Sequence, residues 1–260
     1  MSGALPPLLE VRGLSKVYAG AGGRRHAALD GVSLSLASGE TLGIVGESGS
    51  GKSTLARILM RLTGADGGRV SFEGIDVLRP SREQAIHLTR RMQIVFQDPN
   101  SCMNPRRTVR QALTEAARLA ETGRGRIEAR VRDIMDAVGL AREKLDAFPH
   151  QLSGGQRQRV AIARALAVEP GVVIADECVS ALDVSVQSAV LNLLLELQRE
   201  RGLAYLFISH DLSVVRHMSD RIMVMKSGQV VEEGPADALI SQPTHPYTRE
   251  LIGAIPGAWR

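Results

Sequence analysis

Residues 41–62 read TLGIVGESGSGKSTLARILMRL, and the middle of that stretch decides the fold. GESGSGKS fits G-x-x-x-x-G-K-[ST] through Gly46, Gly51, Lys52 and Ser53. The apolar TLGIV ahead of it reads as a buried strand and TLARILMRL behind it as a helix, the context that gives the pattern a mechanism. The glycines let backbone N–H groups wrap phosphates, Lys52 reaches β- and γ-oxygens, and the Ser53 hydroxyl can ligand Mg²⁺. The whole run Gly46, Glu47, Ser48, Gly49, Ser50, Gly51, Lys52, Ser53, Thr54 is thus a candidate phosphate cradle.

Outward from it, short apolar runs alternate with helical patterns: LEVRGL, VSLSL, RMQIVF at 91–96, GVVIADE at 171–177 and AYLFISH at 204–210. Strands this continuously apolar are buried on both faces, which implies a largely parallel sheet covered by helices. MKSGQVVEE predicts a hairpin turning at Ser227 and Gly228. Between Gln97 and about Val160 the strand pattern stops. There TVRQALTEAARLAE and RIEARVRDIMDAVGL predict amphipathic helices separated by a Gly/Arg turn at 123–125, an all-helical insertion at about 98–160. After Gly234 the chain continues as a Pro-punctuated helical tail.

Further residues have the right chemistry at strand ends. VVIADE delivers Asp176 and Glu177 to the carboxyl end of a buried strand, where open α/β sheets bind ligands. Asp176 can hold Mg²⁺ through water or cap the next helix; Glu177 is placed to polarise an attacking water. His210 ends another strand and can cap the following helix or contact a γ-phosphate. Gln97 before Asp98-Pro99 is, by itself, ordinary turn chemistry. Tyr18 either packs on its strand or offers a face to an adenine. HQLSGGQRQRV at 150–160 puts Ser153, Gly154, Gly155 and Gln156 at the start of a helix, a second way for this chain to present backbone N–H groups to an anion.

Composition narrows the classes. With 260 residues and 44% hydrophobic content the chain can bury a large core. Its strongest apolar run, AVLNLLLEL at 189–197, is broken by Asn192 and Glu196 and too short for a membrane span, and MSGALPPLLEVRGL lacks the pattern of a secretory signal. Two cysteines, Cys102 and Cys178, make no disulfide framework, so a reducing cytosol is the expected setting. The net charge of +4 is spread among acids, and 3% aromatic residues leave little for base stacking, so nucleic acid is not an expected partner.

The order Tyr18, GESGSGKST, Gln97, LSGGQ at 152–156, VVIADE, SALD at 180–183 and His210 resembles the nucleotide-binding subunit of ATP-binding cassette (ABC) transporters. The resemblance implies an α/β fold: a P-loop NTPase (RecA-like) core with a mostly parallel sheet, an N-terminal antiparallel β subdomain and the inserted helical subdomain. It implies a cassette domain at 1–234, a C-terminal extension at 235–260, and ATP with Mg²⁺ as ligands. Two such subunits stack head to tail in that family, each ATP lying between the phosphate loop of one and the LSGGQ of the other. Carried over, Tyr18 would stack on adenine, and Lys52, Ser53 and Thr54 would hold phosphates and Mg²⁺. Gln97 would sense the metal and the attacking water, Asp176 would support the metal, and Glu177 would be the general base. His210 would contact the γ-phosphate, Ser153, Gly154 and Gly155 would complete the partner's site, and Asp183 would bridge the subunits. Cys178 departs from the proline that family usually places after the glutamate.

FQDPNSCMNPRRTVRQAL at 96–113 and QPTHPYTRELIGAIP at 242–256 are similar to segments of the dipeptide, oligopeptide and nickel importer branch. This implies an importer ATPase at the cytoplasmic face of the inner membrane, paired with a second ATPase subunit, identical or different. Two membrane permeases and, indirectly, an extracytoplasmic solute-binding protein would complete the complex. The tail has no cysteine, so no iron–sulfur cluster is expected. The alternatives are an accessory ATPase of a soluble metabolic complex such as phosphonate breakdown, or a cassette ATPase of nucleic acid or translation. The latter expects a second cassette or a long basic or coiled-coil insertion.

Overall fold

The computed structural model describes residues 7–19, 25–99, 103–120 and 123–254. Cys102, with its neighbours in the 96–113 segment, and the end of the C-terminal extension from 255 lie outside the described residues. In chain order the elements are β1 (Leu9–Ala19), β2 (Arg25–Leu36), β3 (Thr41–Val45), α1 (Lys52–Leu59), β4 (Gly67–Phe72), β5 (Ile75–Asp76), α2 (Arg82–Arg91), β6 (Met92–Val95), α3 (Val109–Ala120) and α4 (Arg124–Ala137). They continue as α5 (Gly154–Leu166), β7 (Val172–Asp176), α6 (Val184–Arg201), β8 (Ala204–Ile208), α7 (Leu212–Met218), β9 (Arg221–Lys226), β10 (Gln229–Pro235), α8 (Ala236–Ser241) and α9 (Pro246–Gly253). They gather into two compact units, one of residues up to Leu88 together with those from Ala204 onward, the other of Thr89–Leu203.

In the first unit β3 runs parallel between β8 and β9, Ile44 lying opposite Ile208 on one side and Met223 on the other. Every residue of β3 and β8 is buried, which is why these runs carry no alternation of polar and apolar positions. The expected hairpin is present: β10 pairs antiparallel with β9, and Ser227 and Gly228 turn with φ of 48° and 82°. A separate antiparallel sheet, in the order β2-β1-β4-β5, forms the N-terminal part. Here burial alternates, Val32, Leu34 and Leu36 of β2 facing in and their neighbours out. Strand β4 was not among the expected strands. Gly67, Gly68 and Arg69 hide it, since only Val70 and Phe72 of GGRVSF are buried.

In the second unit β6 and β7 pair in parallel from Met92–Val172 to Val95–Ala175. Among the described residues no strand lies between them in the chain, and α3, α4 and α5 fill the interval, as the patterning predicts. The start of α4 differs from expectation: Gly123 is the extended cap and the helix already includes Arg124 and Gly125. A glycine inside a helix costs about 1 kcal/mol, and burial of Ile127, Val131 and Ile134 on the same helix outweighs it. No helix among the described residues is long and apolar enough to cross a membrane.

Cys178, just past β7, is 1% exposed, and burial pushes its thiol up to about 12, with Asp176 adding to the rise and a backbone hydrogen bond opposing it. At pH 8 the reactive thiolate is therefore about one part in ten thousand. The Cys178 peptide should stay unmodified by iodoacetamide in the native protein and label fully in guanidinium, as followed by mass spectrometry. Rapid native labelling would contradict the buried placement.

Candidate functional site: a phosphate loop and a second helix start

Strand β3 ends at Val45 and the chain turns through GESGSG into α1, which begins at Lys52. Two glycines are required sterically. A Cβ on Gly46 would come within 2.2 Å of the Met225 carbonyl oxygen, and one on Gly51, at φ 107°, within 2.3 Å of the Ala28 carbonyl oxygen. The hairpin turn fixes the loop from beside it, the Gly228 amide donating to the Ser50 carbonyl at 3.0 Å. Lys52 is 5% exposed, its Nζ donating to the carbonyls of Gly46 at 2.6 Å and Glu47 at 2.9 Å and to Ser50 Oγ at 3.3 Å. Glu47, Ser48 and Gly49 form an exposed crest, while Ser53 is exposed and Thr54 half-buried in the first helical turn. A buried ammonium beneath a helix N-terminus is a cationic concavity suited to a polyanion.

Two more predicted residues belong to this unit. Tyr18 is 38% exposed, so it is not a packing residue of β1, and Lys16 Nζ stands 5.5 Å from its ring centroid. The β1–β2 register sets Tyr18 opposite His26, two residues from Ala28, the residue that meets Gly51. His210 is exposed at the carboxyl end of β8, next to β3. It does not cap the next helix: Asp211 does, its Oδ1 accepting the amides of Ser213 at 2.9 Å and Val214 at 3.3 Å. The capping alternative for His210 is thereby removed.

In the second unit, β7 brings Asp176 and Glu177 to its carboxyl end, both half-buried. Glu177 adopts φ 50°, a region a non-glycine residue enters only when its surroundings hold it there. Ser180 does so, its amide and hydroxyl both donating to the Glu177 carbonyl, at 3.2 and 2.9 Å. Gln97 Nε2 then donates to Ser180 Oγ at 3.1 Å, which joins Gln97 to the Glu177 turn. Ser180 was quoted within SALD but given no part in the site; nothing local in the sequence marks a hydrogen bond to a residue 83 positions away.

Ser153 caps α5 in a reciprocal box, Oγ accepting the Gln156 amide at 3.3 Å while Gln156 Oε1 accepts the Ser153 amide at 3.0 Å. The box leaves the amides of Gly154 and Gly155, the first two of the helix, with no intrahelical acceptor. A Cβ on Gly155 would lie 2.4 Å from Val186 Cγ1, so close packing on α6 demands the glycine. Asp183 occupies the N-cap position of α6, but its exposed side chain makes no capping bond.

These features match known proteins. Residues 29–180 match the ABC transporter family. The oligopeptide transport ATP-binding protein OppF of Bacillus subtilis is 49% identical over 253 residues, covering 96% of this chain and 82% of that one. The glutathione import ATP-binding protein GsiA of Salmonella typhimurium is 49% identical over 261 residues, 97% of this chain but 42% of its own length. Among solved structures, the ATP-binding cassette MJ0796, as a post-hydrolysis dimer with ADP and Pi, is similar with a TM-score of 0.78 and 30% identity. That likeness covers 88% of this chain and 98% of that one. A strand that feeds a glycine loop, an acid pair closing a buried strand and a glycine-rich second helix start all lie within residues 29–180, and the chain belongs to the ABC transporter family.

Proposed function

We propose that this chain is the ATP-hydrolysing subunit of an importer for short peptides or a related solute, working as a dimer with shared nucleotide sites. The observation that carries the shared-site reading is the start of α5. A chain that already has a phosphate loop offers a second set of unpaired helix amides at Gly154 and Gly155, with Ser153 beside them. The peptide class rests on the likeness to OppF along 96% of the chain. Residues 1–234 would form the cassette and 235–260 its extension.

In this reading Lys52 and the loop amides bind the triphosphate, Tyr18 offers its exposed ring to the base, and His210 donates to the γ-phosphate. Glu177 takes the proton of the attacking water, which Gln97 orients. Ser153, Gly154, Gly155 and Gln156 close over the γ-phosphate held by the partner, and Asp183 meets the partner's surface. Ser53, Gln97 and Asp176 are a hydroxyl, an amide and a carboxylate, the sparse donor set Mg²⁺ uses when phosphate oxygens and water complete its shell. When bound, that ion would neutralise charge on the β- and γ-oxygens. ATP would draw two subunits together, and closure would pass through the segment after Gln97 to two permeases at the cytoplasmic face of the membrane, a solute-binding protein feeding them from outside.

Co-purification from native membranes tests the importer reading: two permeases should accompany the chain, whereas soluble lyase components in their place would defeat it. Glu177→Gln should lower steady ATP hydrolysis by about 10²–10⁴-fold while retaining ATP and accumulating a dimer on size exclusion; wild-type turnover would remove Glu177 from the base role. Ser153→Arg should impair hydrolysis yet leave ATP bound to the protein's own phosphate loop, as measured by equilibrium binding beside turnover. Full-rate hydrolysis by monomers of that variant would refute the shared site.

A further inference from the structure

The stretch QPTHPYTRE at 242–250 takes no part in the function just proposed, yet within the first unit it leads back to the phosphate loop. Strand β10 presents Glu232. Its Oε1 accepts the Thr244 amide at 2.7 Å and the Thr244 hydroxyl at 2.8 Å, and its Oε2 accepts the His245 amide at 3.1 Å. Burial would raise this carboxyl, but the hydrogen bonds it accepts from Thr244 and His245 outweigh it and hold it at about 2. The anchor is therefore ionised above its ordinary pKa near 4.5 and weakens only as pH falls from there toward 2. His245 next caps α9, its Nδ1 accepting the Tyr247 amide at 3.2 Å, and Pro246 supplies the first helical residue. Tyr247 is left 3% exposed, with Lys226 Nζ 4.2 Å from its ring centroid. Its hydroxyl oxygen accepts the Glu47 amide at 3.1 Å.

The Glu47 N–H and the Gly46 C=O are two edges of one rigid peptide plane. The carbonyl edge receives the Lys52 ammonium at 2.6 Å and the amide edge is held by Tyr247. That plane follows a glycine, which by itself restrains its rotation least of all residues. One edge is thus gripped by the residue that reaches for phosphate, the other by a residue 200 positions away.

We propose that Tyr247 is a positioning residue for the phosphate loop: its hydroxyl fixes the Gly46–Glu47 peptide, and through it Lys52, so that the C-terminal extension sets the loop's affinity for a nucleoside triphosphate. The inference rests on the reading of the loop as the nucleotide site and adds the extension to that site. A preorganised loop binds without first losing the freedom of that plane. Loss of the tyrosine oxygen returns the freedom while leaving every phosphate-facing group in place.

The test uses the full chain and Tyr247→Phe, which keeps the ring and its place beside Lys226. A fluorescent ATP analogue with Mg²⁺ is the probe. The variant should bind it about three- to tenfold more weakly, the worth of one hydrogen bond. KM for ATP should rise by the same factor with kcat at saturation within about twofold, and the nucleotide-free melting temperature should stay within about 2 °C. Hydrogen exchange at the Glu47 amide should quicken. Glu232→Gln, which weakens the anchor without touching the loop, should move affinity the same way. Wild-type affinity in Tyr247→Phe overturns the inference and leaves the nucleotide reading standing. If wild-type protein fails to bind the probe and Lys52→Ala is indistinguishable from it, the nucleotide reading falls and the inference with it.

Discussion

An ammonium group held in the protein interior on backbone oxygens is the constraint on which the first unit is organised. Taking such a charge out of water costs several kcal/mol unless dipoles replace its hydration, and here the carbonyls of Gly46 and Glu47 and the Ser50 hydroxyl converge on Lys52. That convergence is possible only because the loop is folded tightly against Met225 and Ala28, which excludes a Cβ at Gly46 and Gly51. It also needs β3 to emerge between β8 and β9, and the Ser227–Gly228 turn to lie against Ser50.

The second unit solves a different problem, keeping a carboxylate at the end of a buried strand in an unfavourable backbone conformation. Glu177 at φ 50° is stabilised through its own carbonyl by Ser180, and Gln97 is tied to the same serine. One hydroxyl, that of Ser180, thus joins the Glu177 turn to the Gln97 amide. Cys178, the next residue, is buried.

The phosphate loop, the parallel strands and the helical insertion were legible because their signals are local: glycine spacing, unbroken apolar runs and a period near 3.6. What escaped is non-local or masked by composition. Strand β4 has two buried side chains among six residues, too few for an apolar pattern. Ser180 and Tyr247 act through bonds to Gln97 and Glu47, spanning 83 and 200 positions. That Asp211, and not His210 one residue before it, caps α7 was not legible either, since both side chains can accept a helix amide. Tyr18 was likewise undecided between packing and display, a matter of exposure that residue type alone does not fix.

The start of α5 carries no ionisable side chain from Ser153 to Gln156, and its serine and glutamine are committed to each other's backbone amides. Its pull on an anion comes from the helix dipole and amide hydrogens, neither of which titrates in the physiological range. Salt can screen that attraction, but protons cannot switch it. A helix start of this kind therefore attracts an anion with the same strength across the whole range in which carboxylates and imidazoles change charge.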